Sequence, residues 1–137
     1  MAGFCWYVTR TGGGVAPGGA IDPDEAPQDA VVREVWEETG LRVEPIQLCG
    51  VFGGPEFRVR YGNGDEVAYV MADFECRRLS GELRADQEET LGARYFAPFE
   101  LETVELAAWA KVVLPRLTRG GRRSWIPPVT WHPPTEG

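Results

Sequence analysis

Histidine is nearly absent from this chain. The only one, His132, lies in a proline-rich stretch near the C-terminus. A histidine-built zinc site is thereby excluded, and a Ser-His-Asp arrangement has nothing to draw on. Cysteine is sparse as well: Cys5, Cys49 and Cys76 are odd in number and contain no Cys-x-x-Cys pair. They read as small buried residues in a reducing compartment, not as a disulfide framework. Positive charge is short, with 14 Lys and Arg against 21 Asp and Glu, a net −7. A general nucleic-acid binder needs a basic stripe to neutralise phosphates, so that class is disfavoured. A phosphate-bearing small molecule stays open, because a bound metal can supply positive charge locally. No apolar run is long enough to span a bilayer, and the N-terminus lacks the basic-then-apolar pattern of a signal peptide. The expectation is a cytoplasmic protein with no membrane and no nucleic-acid partner.

What is present fits one domain. The chain has 137 residues, 43% of them hydrophobic, enough for a real core. "FCWYVTR" (4–10) is aromatic and β-branched and predicts a strand. "TGGGVAPGGAIDPD" follows and predicts a loop. Gly13 and Gly18 have P-loop spacing, but Gly19 and Ala20 stand where Lys and Ser or Thr are needed, so that reading fails. Ala26 to Thr39 predicts a helix, with Pro27 and Asp29 suited to its first turn and Gly40 to its end; Ala26 is a poor cap. Residues 43–53 read as extended, strand-like runs flank Asn63-Gly64 in a hairpin pattern, and "ARYFAPF" predicts a late strand. Val104, Ala107, Ala108, Val112 and Leu117 give residues 101–117 a helical period. The expected division is a domain over 1–119 and an extended or mobile proline-rich tail over 120–137. Mixed strands with two separated helices imply an α/β or α+β layered fold.

"REVWEETG" (33–40) crowds like charge onto the first helix. Glu34, Glu37 and Glu38 fall on one side at i, i+3 and i+4, roughly opposite Val31, Val32, Val35 and Trp36. Glu34 and Glu38 should repel by a few tenths of a kcal/mol, roughly. Arg33 can relieve Glu37, but one cation does not balance three anions. Two readings stand: a solvated acidic face, or a site for a hard divalent cation held by carboxylates and substrate phosphates.

The wider window, "GAIDPDEAPQDAVVREVWEETGL" (19–41), resembles the Nudix hydrolase signature G-x5-E-x7-R-E-U-x-E-E-x-G-U, where U is a bulky aliphatic residue. Gly19, Glu25, Arg33, Glu34, Val35, Glu37, Glu38, Gly40 and Leu41 fill all nine specified places. Pro17 and Gly18 resemble the usual entry to it. The resemblance implies an α/β fold: a Nudix-type α/β/α sandwich with a mixed sheet. Relatives carry a strand before the one matching residues 4–10, so that first strand is expected to be lacking. A second subunit, or the tail near Trp125 and Trp131, is expected to cover the open edge.

The same resemblance implies hydrolysis of a nucleoside diphosphate linked to another moiety, X, with Mg²⁺ as cofactor and Mn²⁺ able to substitute. The implied metal ligands are Glu34, Glu37, Glu38 and the carbonyl of Gly18. Arg33 is implied to orient a motif carboxylate. Glu25 is implied to tie the loop to the helix or to reach the metal through water. The general base is Glu34, or Glu88 or Glu89 on a later acidic loop. Substrate contacts are expected from Arg58, Arg60 and Phe52, with Phe57, Tyr61, Tyr69 and Phe96 as further aromatic candidates. Pro55 lies near, but not squarely on, the place of the proline in the ADP-ribose branch, and "RVRYGNGDEVAYV" resembles a MutT-like group. The alternatives are a catalytically silent nucleotide-sensing module and an acidic interaction domain with a chance motif. The expected partner is a nucleotide-type small molecule, with a homodimer as the assembly.

Overall fold

In the computed structural model the chain is described over residues 4–9, 14–84, 90–117 and 129–135. The elements run β1 (Phe4–Thr9), β2 (Gly14–Val15), α1 (Pro27–Thr39), β3 (Arg42–Phe52), β4 (Arg58–Arg60), β5 (Glu66–Ala68), β6 (Met71–Ser80), β7 (Thr90–Phe96) and α2 (Ala108–Leu117). Short 3-10 turns occupy Pro55–Phe57 and Pro98–Thr103. One sheet has the order β2-β1-β7, a second pairs β3 with β6, and β4 and β5 form a hairpin. The architecture is the α/β layering expected from the sequence. A mixed sheet was the expectation; every strand pair among the described residues is antiparallel.

Helix α1 begins where Pro27 fixes φ at the first helical position, and Ala26 makes no side-chain cap. It stops at Gly40, whose φ of 73° is in the left-handed region and whose N–H donates to the Trp36 carbonyl at 2.8 Å. Thr39, fully buried, donates its hydroxyl to the Val35 carbonyl at 2.5 Å and accepts the Leu41 N–H at 3.3 Å. The helix packs on β3 and β6 and buries Ala30, Val32 and Val35. A helix this short is marginal alone, so packing of this apolar stripe contributes much of its stability.

In β3 Pro45 cannot donate to the ladder, and the register with β6 shifts between Pro45 and Gln47. The Asn63-Gly64 signal does produce a hairpin, through a turn spanning 61–65. There Asn63 Oδ1 accepts the Asp65 N–H at 3.0 Å and the Asp65 carbonyl accepts the Tyr61 N–H at 2.8 Å. Helix α2 starts later than its periodicity predicts. Pro98–Thr103 is a 3-10 turn instead, because Glu100 accepts the Ala97 N–H at 2.7 Å and the Thr103 hydroxyl donates to the Glu100 carbonyl at 2.8 Å. Local side-chain bonds offer the backbone an alternative to the helix. Leu101, Phe96, Ala110 and Leu114 form one apolar cluster, and Phe52, Phe57 and Val113 form another, with Trp109 against both.

β1 is flanked on both sides, by β7 along its length and by β2 at Tyr7 and Val8. Trp131 lies on Trp36 of α1, not on a strand edge; Trp125 is outside the described residues. Cys49 and Cys76 are free thiols, and burial pushes Cys76 up to about 12.

Asp73 on β6 breaks the usual rule for buried polar atoms. Its Oδ2 is buried with no hydrogen-bond partner among the described residues, and loss of solvation raises the carboxyl to about 6. A raised carboxylate favours folding only while protonated. The penalty is absent below its ordinary value of 3.8 and complete above the raised one. Asp73→Asn should therefore stabilise the fold by about 1–2 kcal/mol at neutral pH, allowing for screening of its exposed part. The gain should vanish by about pH 4. Urea denaturation at both pH values checks it.

Candidate metal and phosphate site

The loop before α1 folds back over the helix, and a single guanidinium ties the two together. Arg33 Nε and Nη2 donate to the two carboxylate oxygens of Glu25 at 2.8 and 3.0 Å, a bidentate pair. Nη2 also donates to the Ala20 carbonyl at 3.0 Å, fixing the loop's path. On its other side Nη1 donates to Glu34 Oε1 at 2.8 Å and Glu37 Oε2 at 3.0 Å. Asp22 lies 3.6 Å from Nε. Only an arginine has enough donors in a fixed fork to hold four partners at once. The Arg33 bond holds the Glu25 carboxyl below its ordinary value, and Glu25 in turn makes Arg33 harder to deprotonate. The loop turn is closed locally, with Glu25 Oε2 accepting the Asp22 N–H at 3.1 Å.

The three helix glutamates differ in exposure, where the sequence predicted one shared outward face. The side chain of Glu37 is 48% exposed, that of Glu34 15%, and Glu38 as a residue 4%. The reason is the loop: the Gly18 N–H donates to Glu38 Oε2 at 2.9 Å, so backbone covers that carboxylate. Glu34 is covered in a different way. A Cβ on Gly19 would stand 2.5 Å from the Glu34 carboxyl carbon, so the carboxylate occupies space that only glycine leaves free. A Cβ on Gly18, by contrast, would meet nothing within 4 Å. Because the clashing atoms are the end of a flexible side chain, Gly19→Ala should leave the fold intact and turn Glu34 away. A fall in turnover of about tenfold, with an unchanged melting temperature, is expected; kinetics and calorimetry on the same preparation test it.

The donor chemistry fits a hard divalent cation. Glu34, Glu37 and Glu38 offer carboxylate oxygens on one rigid helix, and the Gly18 backbone lies against the third. Among the described residues no group of three or more acidic, histidine or cysteine side chains is gathered into a metal cage. Glu34 and Glu37 face Arg33, while Glu38 faces the Gly18 amide. Partial cages are what Mg²⁺ accepts, since it keeps several waters and takes phosphate oxygens as ligands.

The other predicted residues are spread wider. Arg58 and Arg60 lie exposed on β4, 3.5 and 3.9 Å from Glu66 of β5. Phe52, Phe57 and Phe96 are buried in the core, where an aromatic ring packs and does not offer an open stacking face. Tyr61 and Tyr69 bond to one another through their hydroxyls, which raises the Tyr61 hydroxyl above its ordinary value. Glu88 and Glu89 lie outside the described residues. One buried acid was not anticipated as a tether: Asp29 on α1 receives three hydrogen bonds from residues 130–131. A helix-start aspartate gives no sign in sequence of a partner about a hundred residues away.

Comparison with known proteins places this geometry. Residues 3–117 match the domain profile described as the NUDIX domain. A MutT-like protein of Streptomyces ambofaciens is 40% identical over 74 residues, covering 54% of this chain and 42% of that protein. A Bacillus subtilis protein provisionally named an 8-oxo-dGTP diphosphatase is 33% identical over 85 residues, covering 62% of this chain and 50% of its own. The chain thus spans about half the length of these curated relatives. The crystal structure of a MutT NUDIX hydrolase from Burkholderia pseudomallei superposes with a TM-score of 0.70 at 24% identity, over 85% of this chain and 89% of that one, which shows the fold.

Proposed function

Since this chain belongs to the Nudix family, we propose that it hydrolyses a nucleoside diphosphate linked to another moiety, X, using Mg²⁺, with Mn²⁺ as a substitute. The observation that carries the reading is the Arg33 network. One guanidinium binds Glu25, Glu34, Glu37 and the Ala20 carbonyl, so the loop and the acidic helix are locked in register. In this reading Glu34, Glu37, Glu38 and the Gly18 carbonyl hold the metal. The ion would neutralise the pyrophosphate and acidify the attacking water. The protein's own share is positioning. Arg33 keeps the glutamates aligned, the loop amide holds Glu38, and Glu34 or one of Glu88 and Glu89 takes the proton from water. Arg58 and Arg60 meet the substrate phosphates, while Phe52, buried with Phe57 and Val113, packs the core.

Similarity to the MutT-like protein and to the provisional 8-oxo-dGTP diphosphatase supports nucleoside triphosphates, oxidised ones included, as the first substrates to try. The partner in this account is a small nucleotide, with no nucleic acid and no membrane. Among the described residues no helix is long and apolar enough to cross one. A cytoplasmic location, a homodimer, and a domain over 1–119 followed by a tail over 120–137 complete the proposal.

A second reading is a nucleotide-binding module without turnover. The observation favouring it is that Glu34 and Glu37 already accept hydrogen bonds from Arg33, and Glu38 one from the Gly18 amide. A panel of nucleoside triphosphates and diphosphate derivatives, incubated with Mg²⁺ or Mn²⁺ and assayed for phosphate products, separates the two. Metal-dependent release of a nucleoside monophosphate supports hydrolysis. Nucleotide binding with no product across the panel supports the silent module.

A further inference from the structure

Thr130 and Trp131 lie against α1 as a strap, held at two points. At the first, Asp29 accepts the backbone N–H groups of Thr130 and Trp131, the latter at 2.9 Å, and the Thr130 hydroxyl at 3.1 Å. Asp29 is almost wholly buried, and these three bonds meet the cost of taking its charge out of water. At the second, the rings of Trp131 and Trp36 lie 5.8 Å apart at a tilted angle of 54°. Asp29, Arg33 and Trp36 are spaced i, i+4 and i+7, so they share one stripe of the helix. The strap is therefore fastened on either side of Arg33. Thr130, Trp131, Asp29, Arg33 and loop residues 22–25 border one open surface pocket of about 440 Å³.

We propose that this strap is a positioning element for the metal site, with Asp29, Thr130 and Trp131 acting through Arg33 on Glu34 and Glu37. The proposal rests on the metal reading above and deepens it. Arg33 is 12% exposed and reaches its partners only from a partly dry position. A released strap opens its outer side to water, and water competes for the same donors. The Arg33 bonds to Glu25 and Ala20 then weaken, and the loop that covers Glu38 and cradles Glu34 loosens with them. Supporting groups of this kind commonly change metal affinity without touching the metal.

The test uses the full chain and Mn²⁺ as the probe, read by water-proton relaxation, with amide hydrogen exchange as a second readout. Trp131→Ala removes the ring contact, and Thr130→Pro removes both the N–H and the hydroxyl that reach Asp29. Each should weaken Mn²⁺ binding about tenfold and speed exchange in residues 16–25. Trp131→Phe should restore most of the affinity. Lower melting temperatures with native Mn²⁺ affinity in both variants would show a merely structural tie and overturn the proposal. Failure of the native chain to bind Mn²⁺ would remove the metal reading, and the strap's role with it. The exchange data tell the two failures apart, since strap release remains visible without metal.

Discussion

Glu37→Gln should lower turnover by about 100- to 1,000-fold while leaving the fold intact. The side chain is half exposed, and its described polar partner is Arg33 at 3.0 Å across one helical turn. Surface pairs of that spacing contribute about 0.3–0.5 kcal/mol, so stability should hardly move. Glutamine keeps the shape and a hydrogen-bond acceptor and removes the charge. A group whose task is to hold a divalent cation loses most of its value in that exchange, whereas a group that only solvates a helix loses nothing. Circular dichroism melts and steady-state rates with Mg²⁺, taken together, separate those outcomes. Unchanged turnover would remove Glu37 from the site.

The second large effect is expected at Arg33, and it is of the opposite kind. Arg33→Gln should destabilise the fold by about 2–4 kcal/mol and abolish turnover together. Arg33 and Glu25 are 12% and 10% exposed in their side chains, so the pair is only partly open to water. Breaking it removes the guanidinium that both the Glu25 and Glu34 carboxylates accept from. Arg33→Lys should fall between, because an ammonium keeps the charge but cannot span Glu25, Ala20, Glu34 and Glu37 together. There is a pH signature. Arg33 depresses the Glu25 carboxyl, so the pair's stabilisation is fully present above the ordinary value of 4.5. It is lost as pH falls through the lowered value. The native chain should lose stability across that acid window more steeply than Arg33→Gln. Urea denaturation between about pH 3 and 7 measures it.

How much of this was legible in the sequence differs from residue to residue. The helix, its proline start and its glycine stop follow from local rules, and they are where those rules put them. The nine-residue motif named the family before any coordinates, since each position constrains chemistry at fixed spacing. The exposure of the glutamates was not legible. It is set by a loop folding back so that a Gly18 amide meets Glu38, a contact twenty residues apart in sequence. The start of α2 was misplaced for a local reason, the Glu100 and Thr103 bonds that hold a 3-10 turn against a helical hydrophobic period. Phe52 shows the limit of residue type as a guide. An aromatic suits a base or a core, and only packing with Phe57 and Val113 tells which surroundings it has. The strap was least legible. Thr130 and Trp131 sit in a proline-rich stretch that reads as extended or mobile, and their partners, Asp29 and Trp36, lie on the first helix.

The acidic face of α1 is the centre of the account, and metal binding there is its most direct test. Isothermal titration of the native chain with Mn²⁺, in the presence of a non-hydrolysable nucleoside triphosphate analogue, should give a saturable heat. The same titration of the Glu37→Gln and Glu38→Gln chains should lose it. A flat titration for the native chain, or equal affinity in all three, would contradict the assignment.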